Sequence, residues 1–138
     1  MTITDQYLKQ GKSLERLKEE YNKHKSLVIG CDWDGTLYDY HKTGESYEQI
    51  RQLLRDLKEI GCKIVIWTAF HDFEFIKKYC EENNIPFDSI NEGGIPLPWE
   101  SKKPFFSALL DDRAGLPHVY EDLTMIVNLA KLSKTLYE

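Results

Sequence analysis

The sequence has few of the features that mark membrane, disulfide-stabilised or zinc-binding proteins. Only three of its 138 residues are cysteines, Cys31, Cys62 and Cys80, and no two of them form a Cys-x-x-Cys pair. Their odd number and wide spacing argue against a disulfide framework and against a zinc site. No apolar run approaches the ~20 residues of a membrane-spanning helix, and residues 1–8 do not place a basic segment before an apolar one. We therefore expect a cytoplasmic protein with no membrane partner.

The sequence also has fewer basic than acidic residues. The 18 Lys and Arg residues are outnumbered by 23 Asp and Glu residues, which gives a formal net charge of -5. Such a chain has no global field that attracts polyanions, so we expect no generic nucleic-acid binding. With 41% hydrophobic and 30% charged residues, the composition is typical of a globular protein. We expect a single domain over residues 1–138, in which an amphipathic helix within residues 1–25 covers the core or meets a second copy in a homo-oligomer.

Strand-like apolar runs alternate with helical patterns along the chain. The predicted helices run from Ser46, as the N-cap residue, to about Ile60, from Phe73 to about Asn83 after the N-cap Asp72, and from about Tyr120 onward, beyond a break at Pro117. The predicted strands are Leu27–Gly30, Lys63–Trp67, Pro86–Ile90 and Phe105–Leu110. This alternation predicts an α/β fold with a doubly wound, Rossmann-like parallel sheet and helices on both faces.

Two aspartates follow the first predicted strand, in the string Cys31-Asp32-Trp33-Asp34-Gly35-Thr36-Leu37. In open α/β sheets, ligands bind at the edge where the strands end. Two carboxylates at i and i+2 repel each other unless a cation or a shared proton lies between them. The string therefore indicates a polar site at the carboxyl edge of the sheet.

The string resembles motif I of the haloacid dehalogenase (HAD) superfamily of phosphohydrolases, Asp-x-Asp-Gly-Thr followed by Leu or Val. Members of that family carry three further features in a fixed order, and the sequence has all three. Thr68 ends the second strand, Lys102 and Lys103 follow, and the acidic pair Asp111 and Asp112 comes after the last strand. The resemblance spans about residues 27 to 115.

The resemblance implies a HAD-like core without a cap domain, and a phosphatase that uses Mg²⁺ and acts on a phosphorylated substrate. Asp32 would be the nucleophile, Asp34 the general acid and base, and Thr68 a ligand of the phosphoryl group. Lys103 would neutralise charge, and it is preferred to Lys102 because it precedes Pro104 and stands eight positions before Asp111. Metal ligands would come from Asp32, from the backbone carbonyl of Asp34 and from Asp111 or Asp112.

The sequence leaves the substrate open and departs from the family at one position. Phe70 stands where close relatives often have an arginine. If that arginine holds the substrate phosphate or a loop, its contact is lost here or is made by His71 or Arg113 instead. The gaps from Leu37 to Ser46 and from Ala69 to Lys102 leave no room for a separately folded lid. An open site favours a nucleotide, a nucleic-acid end or another bulky phosphoester as substrate. Two alternatives remain: a catalytically silent HAD-like interaction module, and a phosphoacceptor domain of the response-regulator type, in which the acidic pair comes first rather than last.

Overall fold

A four-stranded parallel sheet forms the centre of the protein. The computed structural model describes residues 2–137, with side chains through residue 133. The strands are β1 (Val28–Cys31), β2 (Lys63–Ile66), β3 (Ser89–Ile90) and β4 (Ala108–Leu110), in the spatial order β3-β2-β1-β4. The predicted fold class, an α/β Rossmann-like parallel sheet, is confirmed. The third and fourth strands are shorter than predicted.

Within residues 2–137, four α-helices flank the sheet: α1 (Lys12–His24), α2 (Glu48–Glu59), α3 (Phe73–Glu82) and α4 (Leu116–Tyr137). A short 3-10 helix, Gln6–Leu8, precedes them, and Gly11 at φ 83° separates it from α1. Asp72 caps α3 as predicted, because its side chain accepts a hydrogen bond from the Phe75 backbone N–H at 3.0 Å.

Two predicted helix starts are wrong. Tyr47, rather than Ser46, occupies the N-cap position of α2 in a left-handed conformation, while the Ser46 hydroxyl accepts from the Glu48 N–H at 3.3 Å. Helix α4 begins at Leu116 and therefore includes Pro117. Proline is tolerated there because a residue in the first helical turn needs no intrahelical N–H bond.

One face of the sheet carries the main hydrophobic core. Ile29 and Cys31 of β1 lie beside Ile64 and Ile66 of β2, and all four side chains are fully buried. Buried residues from all four helices join them in one cluster: Leu17 of α1, Leu53, Leu54 and Leu57 of α2, Ile76 and Cys80 of α3, and Leu123, Ile126 and Val127 of α4. The amphipathic faces predicted from the sequence therefore meet on this side of the sheet.

The second face of the sheet is covered by irregular chain. Val28, Gly30 and Val65 alternate with the core-facing residues and so point the other way, and both valines are buried outside the main cluster. A Cβ atom at Gly94 would lie 2.8 Å from Val28 Cγ1, and one at Gly30 would lie 2.9 Å from the Phe106 ring. The segment 91–107, which we call the cover segment, thus takes the place of the helices predicted on this face.

Gly94→Ala is expected to lower the free energy of unfolding by about 1–3 kcal/mol, the usual cost of overpacking. The added methyl group would meet Val28 and Val65, neither of which can move without disturbing the sheet. Gly93→Ala is a matched control, since its Cβ atom would find only the Ile95 carbonyl, at 3.5 Å, and its effect should stay within about 0.5 kcal/mol. Urea denaturation measures both variants, and equal losses would contradict the close contact.

Only loops lie at the carboxyl edge of the sheet, and residues 2–137 contain no separately folded lid over it. The loop after β1 is short and is held by Asp39, whose carboxylate accepts hydrogen bonds from the Thr43 and Gly44 N–H groups, each at 2.9 Å. Within the same residues, no helix combines the length and the apolar character needed to cross a membrane.

Candidate active site

Three aspartates from two adjacent strands meet at the carboxyl edge of the sheet. Asp32 follows β1 and Asp111 and Asp112 follow β4, and the Asp32 N–H donates to the Leu110 carbonyl at 2.8 Å. One carboxylate oxygen from each aspartate lies within 4.8 Å of the others. The residues that stand about 80 positions apart in the sequence thus share the predicted edge, and they are neighbours because β4 pairs directly with β1.

Gly35 and Thr36 hold the loop after β1 against the acidic pair. Gly35 has φ +77°, and a Cβ atom there would lie 3.1 Å from an Asp112 carboxylate oxygen, so both conformation and space favour glycine. The fully buried Thr36 hydroxyl accepts from the Asp112 N–H at 3.2 Å and faces an Asp32 oxygen at 3.5 Å. Sequence reasoning gave Thr36 no role, although its fixed place in the motif string was a signal.

The concentration of negative charge changes how Asp32 titrates. Burial, the Asp111 charge and a side-chain hydrogen bond with Asp112 raise the pKa of Asp32 from its ordinary 3.8 to about 7, against a smaller lowering by the Trp33 backbone. The cluster therefore holds a proton near neutral pH unless a cation compensates its charge.

Asp34 lies near this cluster but outside the group of three oxygens. Its Oδ1 atom is buried and, among the described residues, has no hydrogen-bond partner. Burial raises the pKa of Asp34, the charge of His41 in the following loop opposes that rise, and Asp112 adds to it. A carboxyl group with a raised pKa is suited to proton transfer.

Thr68 follows β2 at the same edge and is held by an asparagine that sequence reasoning missed. The Thr68 N–H donates to Asn91 Oδ1 at 2.8 Å, and Asn91 Nδ2 donates to the Thr68 carbonyl at 2.7 Å. The Thr68 hydroxyl accepts from the Phe70 N–H at 3.0 Å. Asn91 follows β3, and this position at the end of a third strand was the signal that could have identified it.

The structure does not bring the predicted cations to the aspartates. Lys102 and Lys103 are exposed, and within residues 2–133 neither forms an ion pair. Arg113 is also exposed, and its backbone N–H, rather than its guanidinium, contacts an Asp111 oxygen, at 2.9 Å. Phe70 packs against the His71 and Phe75 rings. The role predicted for Lys103 remains a prediction.

Aromatic packing holds Trp33, the residue between the two motif aspartates, in place. Trp33 is fully buried, stacks on Tyr38 at a centroid distance of 5.4 Å and meets the edge of Tyr79 at 5.6 Å. The buried Arg51 of α2 donates to the Leu37 carbonyl at 2.9 Å and to the Tyr79 hydroxyl at 2.9 Å. Arg51 carries a structural duty that helical periodicity alone did not reveal.

The donor set fits a hard divalent cation. Carboxylate oxygens are the ligands that Mg²⁺ prefers in proteins, commonly with several waters and a substrate phosphate completing the octahedron. Asp32 and Asp111 are half-buried and Asp112 is exposed, which leaves one side of the cluster open to such ligands. Burial first, and then the Asp111 charge, raise the pKa of Asp32, so a bound cation would stabilise its ionised form.

Comparisons with known proteins bear on the fold of this chain and not on its function. No family model and no curated protein matches the chain. One solved structure, a conserved protein of Bacteroides thetaiotaomicron, is similar with a TM-score of 0.57 and 21% sequence identity, covering 81% of this chain and 95% of its own. At that identity the likeness shows a shared fold and nothing further.

Proposed function

We propose that the protein is a Mg²⁺-dependent phosphohydrolase that cleaves phosphomonoesters through an aspartyl-phosphate on Asp32. The observation that carries this proposal is the meeting of Asp32, Asp111 and Asp112 within 4.8 Å at the carboxyl edge. The resemblance to the HAD superfamily supports it, since Asp32, Thr68 and the pair Asp111 and Asp112 follow β1, β2 and β4, three strands that lie side by side.

In the proposed reaction, a carboxylate oxygen of Asp32 forms a bond to phosphorus while the bond from phosphorus to the leaving oxygen breaks. Asp34 gives its proton to that leaving oxygen, then takes a proton from the water that hydrolyses the aspartyl-phosphate. Covalent catalysis thus divides one difficult step into two. The buried, unpartnered Oδ1 atom of Asp34 supports its part, because its raised pKa favours the protonated form that the first step needs.

The remaining residues would hold the phosphoryl group and balance charge. Thr68 would donate its hydroxyl proton to a phosphoryl oxygen, with Asn91 keeping its backbone in place. A Mg²⁺ ion held by Asp32, Asp111 or Asp112 and the Asp34 carbonyl would supply positive charge for the anionic substrate. Lys103 would add a second charge if the cover segment brings it toward the site.

One observation favours a second candidate, a catalytically silent HAD-like interaction module. Lys103 is exposed and makes no ion pair with Asp32 within the described part of the chain. A module of that kind would bind a phosphorylated partner or Mg²⁺ without turnover. A response-regulator-type phosphoacceptor is less well supported, because the acidic pair follows the last strand rather than the first.

A phosphatase screen separates enzyme from module. With Mg²⁺, we expect the purified protein to release phosphate from at least one of 4-nitrophenyl phosphate, mononucleotides, 5′- or 3′-phosphorylated oligonucleotides and phosphopeptides. Because no lid closes over the edge, bulky esters should have a higher kcat/KM than small ones such as glycerol phosphate. No phosphate release from any member, with Mg²⁺ binding intact by calorimetry, would favour the silent module.

We also propose the cytoplasm as the protein's location. Cys31, Cys62 and Cys80 are all free and buried, and unpaired thiols are typical of proteins from reducing compartments.

A further inference from the structure

A cavity of about 270 Å³ lies between the cover segment and Trp67, the residue that follows β2. Its wall contains two tryptophans, Trp67 and Trp99, and one lysine, Lys102. Asn91, Ser101 and Phe105 also line the cavity. Neither tryptophan has a part in the reaction proposed above, and that reaction leaves the cavity without a ligand.

The sheet register places this cavity next to Asp32. Cys31 pairs with Ile66 across β1 and β2, so the residues that follow the two strands, Asp32 and Trp67, lie side by side. The Trp67 N–H donates to the Cys31 carbonyl at 2.9 Å, and neighbouring strands lie about 4.8 Å apart. Trp67 also packs on Phe106, which covers Gly30 on the second face. The cavity therefore begins one strand away from the proposed nucleophile.

Asn91 joins the cavity wall to the residue proposed to hold the phosphoryl group. It lines the cavity, its N–H donates to the Ile66 carbonyl at 2.8 Å, and its side chain forms two hydrogen bonds with the Thr68 backbone. A phosphoester bound at Asp32 and Thr68 would thus lie next to a residue of this wall.

The wall offers an aromatic face and a hydrogen-bond donor. Trp99 is 67% exposed and Phe105 is 40% exposed, which leaves ring surface for a planar ligand. Lys102 is exposed and forms no ion pair within residues 2–133, so its ammonium is available. The Ser101 hydroxyl is already engaged with the Lys103 backbone.

We infer that this cavity binds the base of a purine mononucleotide whose phosphate is the one hydrolysed at Asp32, an inference that rests on the proposed function. A nucleobase supplies the π face that aromatic side chains stack on, and the N7 and O6 acceptors of guanine match a lysine donor. A phenyl ring, as in phosphotyrosine, has no polar edge for Lys102. A long polynucleotide is disfavoured by the net charge of -5.

The kinetic test compares 5′-GMP with ribose 5-phosphate, which is the same ester without its base. Wild-type protein should show a kcat/KM ratio of about 5 to 150 in favour of 5′-GMP, the range that stacking of one base supports. Trp99→Ala should bring that ratio close to one, and Trp99→Phe should retain most of it. Tyr7→Ala is a matched control, because Tyr7 is also an exposed aromatic, 59% accessible, but packs on Arg16 of α1.

A binding test separates this inference from the proposed reaction. Guanosine, which has no phosphate, should quench the tryptophan fluorescence of the wild-type protein and not that of Trp99→Ala. Guanosine binding without phosphatase activity would retain the base site and reject the reaction. Phosphatase activity with a ratio near one and no guanosine binding would reject the base site and retain the reaction. A phosphotyrosine peptide preferred over 5′-GMP would also overturn the inference.

Discussion

Asp32→Asn is expected to reduce phosphatase turnover by at least about 10³-fold, the scale of loss found when a catalytic nucleophile is removed. The amide cannot attack phosphorus, so no phosphoenzyme should form. The same substitution removes one of three clustered negative charges, so the melting temperature of the metal-free protein should rise by about 2–5 °C at pH 8. Loss of activity with gain of stability is the expected signature of a residue kept for function.

Asp34→Asn should behave differently, because its proposed duty is proton transfer. Turnover should fall by about 10²- to 10⁴-fold, while a substrate with a good leaving group, such as 4-nitrophenyl phosphate, should still form phosphoenzyme. Acid quenching followed by mass spectrometry measures the covalent adduct in both variants. Asp56→Asn serves as the control, since Asp56 lies on α2 and its carboxylate contacts Gln52. Wild-type activity in Asp32→Asn would reject the assignment of the nucleophile.

Removal of divalent cations is expected to abolish turnover and to make stability depend on pH. In the metal-free protein, the pKa of Asp32 is raised to about 7 from 3.8. Between about pH 4 and pH 7 the folded state therefore holds a proton that the unfolded state has lost, and stability falls as pH rises through this window. Mg²⁺ competes with that proton, so it should raise the melting temperature more at pH 8 than at pH 5.

The measurement is thermal unfolding with chelator or with Mg²⁺ at both pH values, beside a turnover assay. Ca²⁺ should bind and inhibit, since its larger and more flexible coordination shell would let both oxygens of Asp32 ligate it. In Asp32→Asn the fall in metal-free stability between pH 5 and pH 8 should shrink. Full activity in excess chelator would exclude the proposed metal requirement.

The sequence was a reliable guide wherever a single strand or helix determined the outcome. Apolar runs placed β1 and β2 to within one residue at each end, and parallel alignment then required Asp32 and the pair Asp111 and Asp112 to share an edge. The Asp72 cap was also predictable, because capping is a local interaction. These features depend on residues close in sequence or on the simple geometry of a parallel sheet.

Features that depend on distant contacts were not predictable in the same way. Asn91 binds Thr68 from 23 positions away. Its place after a predicted strand marks Asn91 as an edge residue, but nothing in the local pattern indicates that it pairs with Thr68. The left-handed Tyr47 displaces the expected cap of α2, a backbone choice that Ser46 and Gln49 do not indicate. The position of Lys103 depends on the path of the cover segment, which has no regular structure to set its direction.

The close packing at Gly30 and Gly94 means that the two faces of the sheet are covered by different parts of the chain and can be altered independently. The helices and the main core lie on one side, whereas the cover segment touches the other side through close contacts at these two glycines. Substitutions between those contacts, in the stretch that holds Trp99 and Lys102, leave the helical core untouched. Substitutions in this one surface segment can therefore change which molecule the proposed base site accepts, while the three clustered aspartates stay on a scaffold that does not need to change.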